Sequence, residues 1–196
     1  MKNFKFLGVL FAIFTVASPF YAQAGKETFT GTLLSYGTGF NTRASTNLFK
    51  LDITNQTSDA DAQRYLSLLA SGGQNDLLDA IKDENVGRFS ISGRLGPRVN
   101  IVREKETDGK RHIYIVFERW MGFGELRGGY RSTDYPFTYI ELLIDPRTGR
   151  GEGTYIAAAQ IRWKKDKDTG VFRVEVEDFA TFPSRLLNVR TKVSPR

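Results

Sequence analysis

The chain has 196 residues, 40% of them apolar and 13% aromatic, which places it with globular proteins rather than disordered ones. Its formal charge is +6, and it contains no cysteine and a single histidine, His112. Those counts exclude disulfides, thiol nucleophiles, Cys-ligated zinc, iron–sulfur centres and paired-histidine metal motifs such as H-E-x-x-H.

Residues 1–24 have the order of a secretory signal peptide. Lys2 and Lys5 give a basic start, Phe6 to Ala17 an apolar stretch, Pro19 a break, and Ala22-Gln23-Ala24 an A-x-A site before Gly25. The apolar stretch is about a dozen residues, short of the roughly twenty that span a bilayer. The expectation is cleavage after Ala24 and a periplasmic or extracellular address, with no transmembrane segment in the mature chain. About 172 residues would remain, enough for one sizeable core. They read as a single β-rich domain over 25–182 and a basic C-terminal tail over 183–196. Without Lys2 and Lys5, 26 basic residues face 22 acidic ones. That small excess and the expected address argue against nucleic acid as a partner.

Segment 27–36 is rich in Thr and aromatic residues and reads as a strand. Gly37 to Ser45 is a polar loop. Segment 46–54 alternates Phe49, Leu51 and Ile53 with Lys50 and Asp52, the pattern of a half-exposed strand. The period then changes. Ser58 suits an N-cap, Asp59 and Asp61 suit the first turn, and Ala62, Tyr65, Leu66 and Leu69 form one stripe. The spacing predicts a helix over 58–71, ended by Gly72-Gly73, and a second over 75–84. Together they make a helical hairpin inserted among strands.

Strands are expected again at 86–95, 98–105 and 111–120, with Asp108-Gly109 as a hairpin turn between the last two. Segments 135–145, 153–164 and 171–180 complete the run. Short turns imply antiparallel neighbours. The fold class that follows is mainly β: a single-domain antiparallel barrel, or a highly curved sheet, of about eight strands. The alternative is an α+β two-layer sandwich. An exported chain of this strand count with a helical insertion resembles the lipocalin-like, or calycin-like, barrels at the level of fold. The short motifs that define that group are not evident.

Three segments are apolar on both faces, and such strands are covered on both. In 111–120, His112, Tyr114, Val116, Glu118 and Trp120 oppose Ile113, Ile115, Phe117 and Arg119. In 135–145, Tyr135, Phe137, Tyr139 and Leu143 oppose Ile140, Leu142 and Ile144. In 153–163, Tyr155, Ala157, Ala159, Ile161 and Trp163 oppose Ile156 and Ala158. One cover is the rest of the barrel and the other is the helical hairpin. A functional reading of the same pattern is a cavity along the Tyr/Trp face, where Ala157-Ala158-Ala159 would leave room.

His112 and Glu118 share a face but stand roughly 20 Å apart along a strand; His112 can act only with a carboxylate of another strand. Glu118 and Glu141 are candidates for paired-carboxylate work on a glycoside, against ordinary ion pairing with Arg119, Arg127, Arg131 or Arg162. The loop 121–131 combines Gly122, Gly124, Gly128 and Gly129 with Phe123, Leu126, Tyr130, Arg127 and Arg131. It reads as a rim that can meet an anionic or amphiphilic ligand, or as a long connection with its own small cluster. Its G-x-G carries no dinucleotide meaning without a βαβ unit. Asp166-x-Asp168-x-Gly170 is a turn rather than a calcium loop. Asn55-Gln56-Thr57 is a formal glycosylation sequon.

The expected function is binding of an apolar or amphiphilic small ligand, with Tyr114, Trp120, Tyr139, Tyr155 and Trp163 lining the site and Arg127 or Arg131 meeting a polar head. No catalytic residue, metal site or cofactor is assigned. The alternatives are a non-catalytic cell-envelope domain that contacts another macromolecule and a carboxylate-dependent hydrolase.

Overall fold

Strand alternation drives this chain into a ring. The computed structural model describes residues 26–36, 43–128, 131–165, 172–179 and 182–193. The expected leader, the turn at 166–170, Gly129, Tyr130 and the side chain of Arg131 lie outside the described residues. The strands are β1 (Glu27–Ser35), β2 (Ser45–Ile53), β3 (Gly87–Ile91), β4 (Arg98–Val99), β5 (Ile101–Thr107), β6 (Lys110–Glu118), β7 (Phe137–Asp145), β8 (Arg150–Lys165), β9 (Phe172–Asp178) and β10 (Ser184–Val193). The helices are α1 (Asp59–Gly72), α2 (Gln74–Ile81) and the short α3 (Phe123–Gly128), with one 3-10 turn over Arg131–Asp134.

The sheet runs β4-β3-β2-β1-β10-β8-β7-β6-β5, and β9 pairs with β8 off this path. All pairings are antiparallel. The first and last strands of that order, β4 and β5, are separated in the chain by Asn100 alone. One segment therefore pairs with β3 through its start and with β6 through its remainder, which nearly closes a calycin-like barrel of nine strands. The two-layer sandwich is not the architecture.

Asn100 makes the corner. Its backbone N–H donates to Val116 O, its side-chain amide donates to Glu84 O at 2.9 Å, and Glu118 N–H donates to its Oδ1 at 2.9 Å. The residue is buried. The chain just before α1 is stapled to the same segment: Thr57 N–H donates to Val102 O, and Val102 N–H to Thr57 Oγ1 at 3.0 Å.

The basic tail expected over 183–196 is corrected by β10, which lies between β1 and β8. Its alternation is broken by a bulge. Leu186 and Val189 are both fully buried although three residues apart, and Asn188 has φ 53°. Asn tolerates that left-handed backbone better than most residues. Opposite the bulge stands Gly31, where a Cβ would sit 2.7 Å from Leu187 O and 2.8 Å from the Phe49 ring.

Two cores result. The barrel interior holds Phe29, Phe49, Leu51, Phe89, Ile113, Ile115, Phe117, Ile140, Leu142 and their neighbours. The second lies outside, where Tyr65, Leu69, Leu77 and Ile81 of the helices cover Tyr114, Val116, Phe137, Tyr139 and Ile156. This is the double cover that the two-faced strands require. The hairpin is anchored as its sequence predicts: Ser58 Oγ accepts from Asp61 N–H at 3.1 Å.

One end of the interior is plugged by charge. Arg111 donates to both oxygens of Glu27, at 2.8 and 2.9 Å, and to both of Glu104, at 2.5 and 2.9 Å. Thr191 Oγ1 adds a bond to Glu27 at 2.6 Å. Burial raises the Glu27 carboxyl pKa, but the Arg111 and Thr191 hydrogen bonds outweigh it and hold the group below its usual value.

Asn100→Ala removes two side-chain bonds at the corner and leaves buried partners unmatched. It should lower stability by about 2–4 kcal/mol, read as a lower urea midpoint at unchanged slope. A loss under about 0.5 kcal/mol would show that closure does not depend on Asn100.

Candidate functional site

The end of the barrel away from the Arg111 plug is open. The connections β1–β2, β3–β4, β6–β7 and β9–β10 meet there, because the strands alternate in direction. Between them lies a cleft of about 320 Å³. Phe89 and Ile91 of β3, Phe117 of β6 and Tyr155 of β8 form its apolar depth. Trp120 and Ala157 stand at its sides, with Thr138, Gly96 and Pro97. Arg94 and Arg119 bring positive charge to it.

The floor is aromatic. The Phe89 ring lies 5.9 Å from Phe49, 6.0 Å from Phe117 and 5.5 Å from Tyr155, the last pair stacked. Phe89 is buried, so it separates the cleft from the filled core beneath. Burial pushes the Tyr155 phenol up to about 12, against a smaller opposing pull from Arg119. Tyr155 therefore stays neutral near pH 7 and presents a phenol, not a phenolate.

Arg119 reaches Glu125 of α3 at 2.7 Å, which ties the connection after β6 to the barrel rim. Arg94 is exposed in the β3–β4 turn. Thr138 Oγ1 donates to Ala157 O at 3.1 Å and holds the wall.

That wall contains the feature that re-sorts the aromatic residues. Tyr139 pairs with Ile156, and Phe137 pairs with Ala159, so β8 carries one extra residue at Ala157-Ala158. A bulge of this kind flips the faces beyond it. Tyr155 and Ala157 face the cleft, whereas Ala159, Ile161 and Trp163 belong to the outer core. The five aromatic residues expected on one cavity face thus divide. Trp120 and Tyr155 meet at the cleft. Tyr114 and Tyr139 are buried under the helices, and Trp163 stacks on Phe172 at 5.9 Å. Arg127 is exposed on α3, with its guanidinium 6.0 Å from the Phe123 ring centroid. Phe89, Ile91, Arg94, Phe117, Arg119 and Thr138 complete the cleft and were not among the expected ligand residues. Their signal was present: Phe117 and Arg119 sit on the face of 111–120 opposite the tyrosine.

The acid–base candidates lie elsewhere. His112 Nδ1 stands 3.4 Å from Glu141 Oε1 on the outer face, beside Tyr114. Burial, and secondarily Glu141, push Tyr114 up to about 12. Glu118 is exposed and stands four positions along β6 from Tyr114, the register partner of Glu141. That is about 13 Å, too far for a carboxylate pair around one glycosidic bond. Among the described residues no three acidic or histidine side chains gather as a metal site, and no helix is long and apolar enough to cross a membrane.

The two tryptophans test this sorting. With Trp163→Phe, the remaining Trp120 should be quenched by acrylamide almost as freely as tryptophan in water. With Trp120→Phe, the remaining Trp163 should be much better protected. Equal quenching would contradict the division of faces. No protein-family model, curated protein or solved structure matches this chain.

Proposed function

We propose that the protein is an exported binding protein that holds a small amphiphile in the open-end cleft, apolar part inward and anionic head toward Arg94 and Arg119. The observation that carries this reading is the cleft itself: an aromatic floor, a small-residue wall at the Ala157-Ala158 bulge and arginine at the rim. Its volume of about 320 Å³ is at the lower end for ligand pockets, which suits one short chain rather than a bulky ring system. Because the buried core occupies the barrel interior, the proposed site is the mouth of the barrel rather than its inside. The separation of Glu118 from Glu141 gives the hydrolase alternative no support.

Decanoate should bind the protein in isothermal titration, and decanol, which lacks the charge, roughly tenfold more weakly. Ala157→Phe should abolish both by filling the cleft, and Arg94→Glu should weaken decanoate selectively. Failure of either probe to bind, or unchanged binding by Ala157→Phe, would refute the reading. Export has its own test. N-terminal sequencing of protein secreted from its full coding sequence should begin at Gly25, and an uncut Met1 would contradict it.

A further inference from the structure

The open end exposes more apolar surface than a small cleft needs. Leu95 is 85% exposed, Trp120 84% and Phe123 75%, with Phe182, Leu126, Leu48 and Tyr36 also exposed in or beside the four connections. With Phe179 of the β9–β10 connection, these are eight of the nine large apolar side chains exposed among the described residues. They come from four separate connections that converge only because the barrel closes. Helix α3 buries none of its residues. A helix that is tied to the rim through Glu125 but keeps Phe123 and Leu126 in water adds no apolar packing to the fold, and that face is available to a second surface.

Charge says what that surface is. Among the described side chains of these connections there are four arginines, Arg43, Arg94, Arg119 and Arg127, no lysine, and two acids, Glu125 and Asp134. Arg119 and Glu125 offset one another in their ion pair, which leaves Arg43, Arg94 and Arg127 against Asp134. A cationic rim interleaved with exposed Trp, Phe and Leu matches the boundary between anionic headgroups and acyl chains. There the aromatic and aliphatic groups enter the apolar layer and arginines extend back to the phosphates.

We infer that the open end of the barrel docks on a bilayer surface carrying anionic headgroups, with Trp120, Phe123 and Leu126 entering the interface and Arg94 and Arg127 meeting phosphates. Docking sets the mouth of the cleft against the bilayer, so it deepens the amphiphile reading by naming the source of the ligand, and rests on that reading for this point alone.

The test uses the full chain carrying Trp163→Phe, so that emission reports Trp120. Vesicles of phosphatidylcholine with phosphatidylglycerol should shift Trp120 emission to the blue, and brominated acyl chains should quench it. Pure phosphatidylcholine should do neither. Phe123→Ser with Leu126→Ser, or Arg94→Glu with Arg127→Glu, should weaken docking by roughly tenfold or more. Both pairs are exposed, so circular dichroism should be unchanged.

Trp120 emission that keeps its solvent value overturns the inference, even if residues 1–24 carry the chain to the vesicles. Docking indifferent to headgroup charge, or to the Phe123/Leu126 pair, also overturns it. Phe123 and Leu126 do not line the cleft, so their replacement should leave decanoate binding in solution unchanged. A chain that docks but binds no decanoate refutes only the amphiphile reading. One that binds decanoate but leaves Trp120 in water refutes only docking.

Discussion

The barrel exists because one segment can belong to two sheet edges, and Asn100 is the residue that allows it. Between β4 and β5 the chain must turn from β3 toward β6 without leaving buried polar groups unmatched. A side chain with both a donor and an acceptor solves this in one position: the amide reaches Glu84 O, and the carbonyl takes Glu118 N–H. Everything else hangs on that corner. Glu84 also accepts from Tyr65 of α1 at 2.9 Å, so the hydrogen bonds that close the barrel also seat the helical hairpin on its outer face. Thr57 ties the start of the same insertion to β5. The helices are thus placed by closure and then held by the apolar contact of Tyr65, Leu69, Leu77 and Ile81.

Closure also explains why a filled barrel still has a cleft. The interior side chains occupy the middle, and Arg111 occupies the far end with its two glutamates. At the near end, Phe89 spans Phe49, Phe117 and Tyr155 and finishes the packing. Above it the β8 wall recedes at Ala157, and the connections rise around the gap.

The sequence was a good guide wherever side chains kept a strict period. Phe49, Leu51 and Ile53 announced β2, Ser58 announced α1, and the two-faced segments announced that both sides of β6 to β8 would be covered. It was a poor guide wherever a strand carried an extra residue. At Ala157-Ala158 the period slips by one, so Tyr155 and Trp163 point to different cores although an even spacing places them together. At Leu187-Asn188 the slip makes β10 look like an aperiodic basic tail. A bulge is a backbone event, and its local side chains need not declare it. The clues were indirect: three alanines in a strand, and an Asn able to take positive φ. The cleft was legible through Trp120 and Tyr155. Its other walls were not, because they come from turns such as 92–97, whose place at the mouth is set by long-range closure.

The Glu27–Arg111–Glu104 plug has a geometric consequence for traffic through the molecule. A barrel sealed by ions at one end and packed through its middle is a cup, not a conduit. A ligand of the proposed kind, settled on the Phe89 floor, would leave by the opening through which it arrived. Its loading and unloading would then share one face, and direction would come only from what that single mouth is facing at the time.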